Sequence, residues 1–303
     1  MNFVNEISVR FEMSNTLKIL SAFFFALMAA FVRLSGDIPF TQKAMFRNLI
    51  SFVIAFAAVL KQVKNKGFDS IRIPKGSVKF LILRSVSGTI GIFGNFYAID
   101  HLILADASIL NKMAPFWTVI FCLLLIGETI QIIPLLAIIT AFLGAMLVAK
   151  PSFDFSKFLP SLCGFASGMG AGVAYACIRK LSTFKCPGKI IILFFSGFSI
   201  IFTLPFMWKG FTPMTVQQTF FLLLAGISAA VGQFTITAAY FYAPASKISI
   251  FDFSQIIFSA SLGFFLFGQK PDIFSFCGYI LIVSMAVLNF VYQQKKKRTA
   301  DKC

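Results

Sequence analysis

The chain has 303 residues, 58% of them hydrophobic and only 13% charged, with a formal net charge of +16. That is too little polar surface for a soluble domain. Apolar runs of about 20 residues, the length that crosses ~30 Å of hydrocarbon as a helix, recur from end to end. The runs are continuous rather than alternating, so helices and not barrel strands satisfy the backbone in lipid.

The sequence therefore predicts an all-α polytopic membrane protein. The expected spans are 16–35, 43–60, 79–98, 104–126, 131–149, 159–179, 188–208, 217–240, 247–267 and 273–292, about ten transmembrane helices. Residues 1–15 read as a cytoplasmic leader and 294–303 as a basic cytoplasmic tail. The first run is long and lacks an A-x-A exit, so it is expected to stay in the membrane. With the N-terminus inside, eighteen Lys and Arg fall on the cytoplasmic side and six outside. This split obeys the positive-inside rule and places both termini in the cytoplasm of a cell whose cytoplasmic membrane holds the protein. The basic excess is thus orientation charge rather than a nucleic-acid surface.

The first half aligns with the second at an offset of 141 residues. Gly91 falls on Gly232, Phe93 on Phe234, Ala98 on Ala239, Ser108 on Ser249, Ile109 on Ile250 and Gly127 on Gly268. Five spans per half must insert in opposite senses, which predicts two inverted five-helix repeats, 16–149 and 150–293. Binding near the midplane between such halves is the arrangement that supports alternating access.

Three basic residues fall inside spans: Arg47, Arg84 and Lys112. Lys112 lies about 12 Å into the fourth span at 1.5 Å per residue, beyond the reach of its own stem. Facing lipid there costs ~3 kcal/mol or more, so a polar cavity or a carboxylate partner is expected. Asn111 precedes it, and Pro115 removes an intrahelical bond nearby, a candidate hinge. Asn111 aligns with Asp252, which reads either as a titrating proton site or as a fixed counter-ion for Lys112. Gln255 shares the Asp252 face. Arg47 either snorkels outward or holds an anion in a cavity, whereas Arg84 reads as snorkelling to cytoplasmic phosphates. Asn95, Tyr97, Gln233, Thr235, Thr237 and Tyr240 offer uncharged hydrogen-bonding groups, mostly as interhelical contacts. Trp117 reads as packing. Glu128 reads as complementing the dipole of the next helix.

The six cysteines lack C-x-x-C spacing and are expected to form neither metal site nor disulfide. No G-x-S-x-G, H-E-x-x-H or P-loop occurs, so neither enzyme nor ATP-driven pump is expected, and no cofactor.

The ordered run LADAS…APFW…IGE from Leu104 to Glu128, the arginine early in the second span (Arg47) and the basic end of the sixth (Arg179–Lys180) resemble the drug/metabolite transporter superfamily, in its EamA-type branch. The resemblance covers essentially the whole chain. It implies secondary transport of a small metabolite through a central cavity between two repeats. The chain departs from the family pattern where Gly268–Gln269 replaces the expected G-E, and in carrying Lys112. The expected partners are a small-molecule solute, the bilayer, and a proton or counter-solute for coupling, with no nucleic acid; the chain is a monomer or homodimer. A carboxylate-bearing or amino-acid-like solute suits Lys112. An exporter of lipophilic cations and a non-transporting scaffold are the competing readings.

Overall fold

The computed structural model describes residues 2–102, 104–150 and 158–300, with the side chains of 2–11, 99–100, 104–106, 209 and 296–300 left out. The Leu104–Asp106 side chains of the motif above, the second-repeat boundary at 150–157 and most of the basic tail thus lie outside the described side chains.

Twelve α-helices follow in chain order: α1 (Asn2–Leu34), α2 (Phe40–Lys66), α3 (Val78–His101), α4 (Leu104–Asn111), α5 (Ala114–Ile126), α6 (Ile132–Ala149), α7 (Phe158–Thr183), α8 (Gly188–Lys209), α9 (Val216–Tyr242), α10 (Ala245–Ile248), α11 (Ser254–Phe267) and α12 (Ile273–Ala300). Among the described residues there is no strand. Among the described residues, nine segments are long and apolar enough to cross a membrane, counting α4 with α5 and α10 with α11 as single spans. The tenth is α3. Its 24 residues reach ~36 Å, but Arg84, Ser85, Ser87, Thr89 and Asn95 dilute its hydropathy. Those residues are tolerable because α3 lies along α7 rather than along lipid. The protein is all-α and polytopic, as the composition requires.

α1 begins at Asn2, so the expected leader is helical and continuous with the first span. This moves Lys18 from a span edge to the middle of a helix, with consequences below.

Helix ends follow local chemistry. Thr215 and Gln218 close a capping box at the start of α9, each side chain meeting the other's backbone N–H. α5 and α11 both end on a left-handed glycine, Gly127 at φ +76° and Gly268 at φ +63°, where a Cβ would be strained.

Packing is by close backbone approach, which lipid-soluble helices need because burial of apolar surface gains little between them. A Cβ on Gly91 would stand 3.2 Å from the Ser167 carbonyl oxygen, and one on Gly144 would stand 2.9 Å from the Gly278 carbonyl. α3 packs on α7, α1 on α9 and α11, α2 on α8 and α9, α5 on α7, and α6 on α12. Buried Ile and Ala from most of these helices, joined by Phe251 and Phe253, fill the centre.

Candidate functional site

Two of the spans are interrupted, and the interruptions carry the polar residues. The fourth span breaks at Lys112–Met113, between α4 and α5. Pro115 is not a kink inside a helix but sits in the first turn of α5, where its missing N–H costs nothing. The Leu110 carbonyl, which accepts from the Met113 N–H at 3.3 Å, and that of Asn111 lie against α7 at Gly168, where a Cβ would be 2.5 Å from the Leu110 oxygen. The ninth span is irregular over Ser249–Phe253, a 3-10 turn between α10 and α11 that contains Asp252. Irregular backbone at membrane depth is tolerated where protein or a water-filled cavity covers it.

At these breaks the side chains meet. Lys112 Nζ donates to Gln255 Oε1 at 2.6 Å, joining the two interrupted spans. Asp252 Oδ2 lies 2.9 Å from Lys18 Nζ. This corrects the expected pairing: the counter-ion of Asp252 is Lys18, and Lys112 is held by a neutral amide while still within electrostatic reach of Asp252. Lys18 has 0% side-chain exposure, and its hydrogen bond goes to Tyr240 Oη at 2.8 Å. The Asp252 contact is therefore a charge contact beside a better aligned hydrogen bond. The ammonium also lies 4.2 Å from the Tyr240 ring centre and 5.0 Å from that of Tyr175, and the two rings stack at 5.6 Å. A buried ammonium needs this much compensation.

Sequence reasoning missed Lys18 and Tyr175. Counting Lys18 as a loop charge hid it. The available signal was that Ser14 and Ser21 sit one turn to either side of it, a polar face continuing the helix toward the N-terminus. Ser14 Oγ donates to the Ala239 carbonyl at 2.9 Å, fixing α1 against α9 at this level.

The other candidates are distributed as follows. Asn111 Nδ2 donates to Ser167 Oγ at 3.2 Å. Arg47 is half-buried and within electrostatic reach of Tyr175. Tyr97 stacks on His101 at 4.1 Å, away from the breaks. Asn95 is half-buried and Gln233 is buried with its Nε2 unpartnered among the described residues; neither is hydrogen-bonded to the cluster. Thr235 and Thr237 bond back to their own helix, at Val231 and Gln233 carbonyls, rather than across helices. Trp117 packs edge-on to Phe165 at 5.5 Å. Arg84 does not snorkel: it is 2% exposed, with its guanidinium 3.6 Å from the Phe195 ring centre. α3 packs on α7 and α8, and Gly88, one turn on from Arg84, leaves room for the guanidinium against Phe195 of α8.

Glu128 is structural, but by another contact than a helix dipole. Its Oε1 accepts from Arg179 Nε at 2.6 Å and its Oε2 from the Ala245 N–H at 3.0 Å. Arg179 Nη1 also donates to the Tyr240 carbonyl at 3.2 Å. The carboxylate thus ties the end of α5 to α7, α9 and α10. The residue at the equivalent place after α11 is Gln269. With its amide oxygen turned toward Arg33, that oxygen accepts from Nη1 at 2.7 Å and Nη2 at 3.2 Å. The turn after α5 thus carries an ion pair and the turn after α11 a neutral amide contact.

The EamA-like transporter family matches residues 13–150. Over that stretch, a little under half of its length, the chain is similar to EamA-like transporters of the drug/metabolite transporter superfamily. It is 29% identical over 270 residues to a protein named pseudopaline exporter CntI of Pseudomonas aeruginosa, covering 88% of this chain and 92% of that one. It is 25% identical over 297 residues to human solute carrier family 35 member G1, covering 92% and 80%. A solved crystal structure shares the fold at a TM-score of 0.80 and 14% identity, over 93% of this chain and 98% of the other. The names of these relatives are those of transporters, and the polar cluster at the two interruptions holds Lys18, Lys112 and Asp252.

Proposed function

We propose that this chain is an EamA-type secondary active transporter that moves a small anionic organic metabolite across the cytoplasmic membrane, by alternating access between two inverted five-helix repeats, with both termini cytoplasmic. The observation that carries the reading is the Lys112–Gln255 contact between two interrupted spans, beside the Lys18–Asp252 pair. Lys112, Asn111, Asp252, Gln255 and Tyr175 are deep in the bundle, yet each remains partly accessible, which suits a wetted cavity better than a dry core.

The packing supports the two repeats, 16–149 and 150–293. Exchanging the halves maps the α1–α9 contact onto α7–α3, α1–α11 onto α7–α5, and α2–α9 onto α8–α3, while α2–α8 and α6–α12 map onto themselves. The glycine caps at 127 and 268 and the arginine contacts at 128 and 269 follow the same exchange. Rocking one half against the other would open the Arg179–Glu128 end and the Arg33–Gln269 end in turn, exposing the cluster to alternate sides.

Charge supports an anionic solute. Lys18, Arg47, Arg84 and Lys112 line or back this region, and Asp252 is the one carboxylate among the described residues there. A lipophilic cation would meet repulsion; a carboxylate-bearing solute would not. The similarity to chains named exporter and solute carrier supports transport of metabolite-sized molecules.

The test is counterflow in proteoliposomes loaded with a mixture of carboxylate metabolites. Wild type should accumulate at least one labelled acid, and Lys112→Met should abolish this while leaving the protein monodisperse. Full activity in Lys112→Met removes the lysine from the path. Imposing a pH gradient on wild type and Asp252→Asn then separates proton coupling from exchange: an unresponsive wild type leaves a counter-solute as the driver.

A further inference from the structure

Two cations, the buried Arg84 and the half-buried Arg47, are left without a role by the cluster around Lys112. Arg84 Nε and Nη1 are buried and have no hydrogen-bond partner among the described residues. The guanidinium is accommodated by Gly88, where a Cβ would stand 2.6 Å from Nη1 and 3.0 Å from the Phe195 ring. Arg47, on the neighbouring α2, makes no ion pair among the described residues. The two arginines are within electrostatic reach of each other and both of Tyr175. Like charges facing one another in a low-dielectric interior repel, and a guanidinium without acceptors forgoes the bonds its planar fork is built to make. Phe195 offers one ring face to Arg84, which leaves the in-plane N–H groups open.

Tyr175 connects this pair to the first cluster. It stacks on Tyr240, lies beneath Lys18 Nζ and is within reach of Asp252. The cations therefore form two groups within reach of one tyrosine: Lys18 and Lys112 with a carboxylate, Arg47 and Arg84 with none.

We infer that Arg47 and Arg84 form a second anion subsite in the same cavity, so that the transported solute is a small organic anion with at least two carboxylates, one held at Lys112 and the other by the arginines within reach of Tyr175. The inference rests on the transporter reading above and narrows its substrate class. Each guanidinium matches a carboxylate bidentately, which a lysine does not, and this explains why the second group is built of arginines. Four cations facing one carboxylate leave a net charge of +3 that a dicarboxylate lowers to +1.

The experiment is a thermal-shift titration of the purified full chain in detergent at constant ionic strength. The probes are acetate, a series of straight-chain dicarboxylates from malonate to pimelate, and inorganic phosphate. Wild type is expected to prefer one dicarboxylate length, half-saturating at a concentration at least about tenfold below acetate, as one extra charge-assisted contact provides. Arg84→Gln and Arg47→Gln should each raise that concentration about tenfold while leaving acetate within about twofold; Lys112→Met should weaken both. Gly88→Ala, which keeps every charge but displaces the guanidinium, should shift dicarboxylate binding in the same direction. Should Arg84→Gln fail to fold, Arg47→Gln and the wild-type length series carry the test.

Equal binding of acetate and all dicarboxylates, arginine variants that change neither, or phosphate binding as tightly as the best dicarboxylate with the same Arg84 dependence would each overturn the second subsite. In those cases Lys112-dependent acetate binding still upholds the transporter reading. If Lys112→Met changes nothing while the arginine variants act, the reading of Lys112 fails instead. No shift with any of these anions overturns both.

Discussion

Replacing Lys18 with Met should show how much of the interior depends on a residue that looked like loop charge. The substitution nearly preserves volume and removes the ammonium that touches Asp252 at 2.9 Å and Tyr240 Oη at 2.8 Å. Breaking a buried pair by deleting one partner costs ~3–5 kcal/mol, because the surviving charge is stranded. Asp252 retains 16% side-chain exposure and Lys112 lies within reach, so the lower end of that range, about 3 kcal/mol, is the expected loss. Asp252→Asn alone strands Lys18, which has no exposure at all, and should cost at least as much. The double variant removes both charges and should recover more than half of the summed loss. The assay is reversible unfolding in mixed micelles followed by fluorescence of Trp117 and Trp208, with the coupling taken from the double-mutant cycle. A coupling below ~0.5 kcal/mol, the scatter expected of independent sites, would refute the pairing and with it the electrostatic account of the cavity.

Further expectations follow from the remaining contacts. Glu128→Gln copies after α5 the neutral arrangement that Gln269 makes after α11; it should cost ~1.5–3 kcal/mol of stability, as loss of a charged hydrogen bond does, and shift the balance between the two open states, read as changed labelling of single cysteines placed near Arg179 and near Arg33. Gly168→Ala forces a methyl to within 2.5 Å of the Leu110 carbonyl oxygen and should destabilise by ~1–3 kcal/mol in the same unfolding assay, whereas Ala at Gly210, whose nearest neighbour would be 3.7 Å away, should change it little. Gln255→Leu leaves Lys112 without its hydrogen bond; binding of a carboxylate should weaken less than in Lys112→Met, because the charge remains, and a loss equal to that of Lys112→Met would mean the amide itself contacts the solute.

The fold was largely legible because the signals that define it are long. Apolar runs of membrane-crossing length survive errors of several residues at each end. The interruption at Lys112 was legible too, since a lysine, an asparagine and a proline within five positions fit no lipid-facing helix. What escaped depended on tertiary register. Lys18 sits two residues inside the expected edge of its span, and only the helical continuation of α1 to Asn2 makes it interior. Arg84 lies close enough to an end to snorkel, yet it is buried against Phe195 of α8. The 141-residue offset aligned Asn111 with Asp252, which suggested a partnership through Lys112. A sequence offset relates positions in the two halves, however, without saying which side chains touch across them. The lysine that meets Asp252 came from a third helix.

The central claim is that the cluster at the two interruptions faces water from each side in turn. Asn111→Cys in a background lacking the six native cysteines, probed with a membrane-impermeant thiol reagent on one face of the bilayer and then on the other, tests it directly. Labelling from both faces, slowed from both by a transported acid, is the expected result; no labelling from either face would show a dry, locked interior and contradict the account.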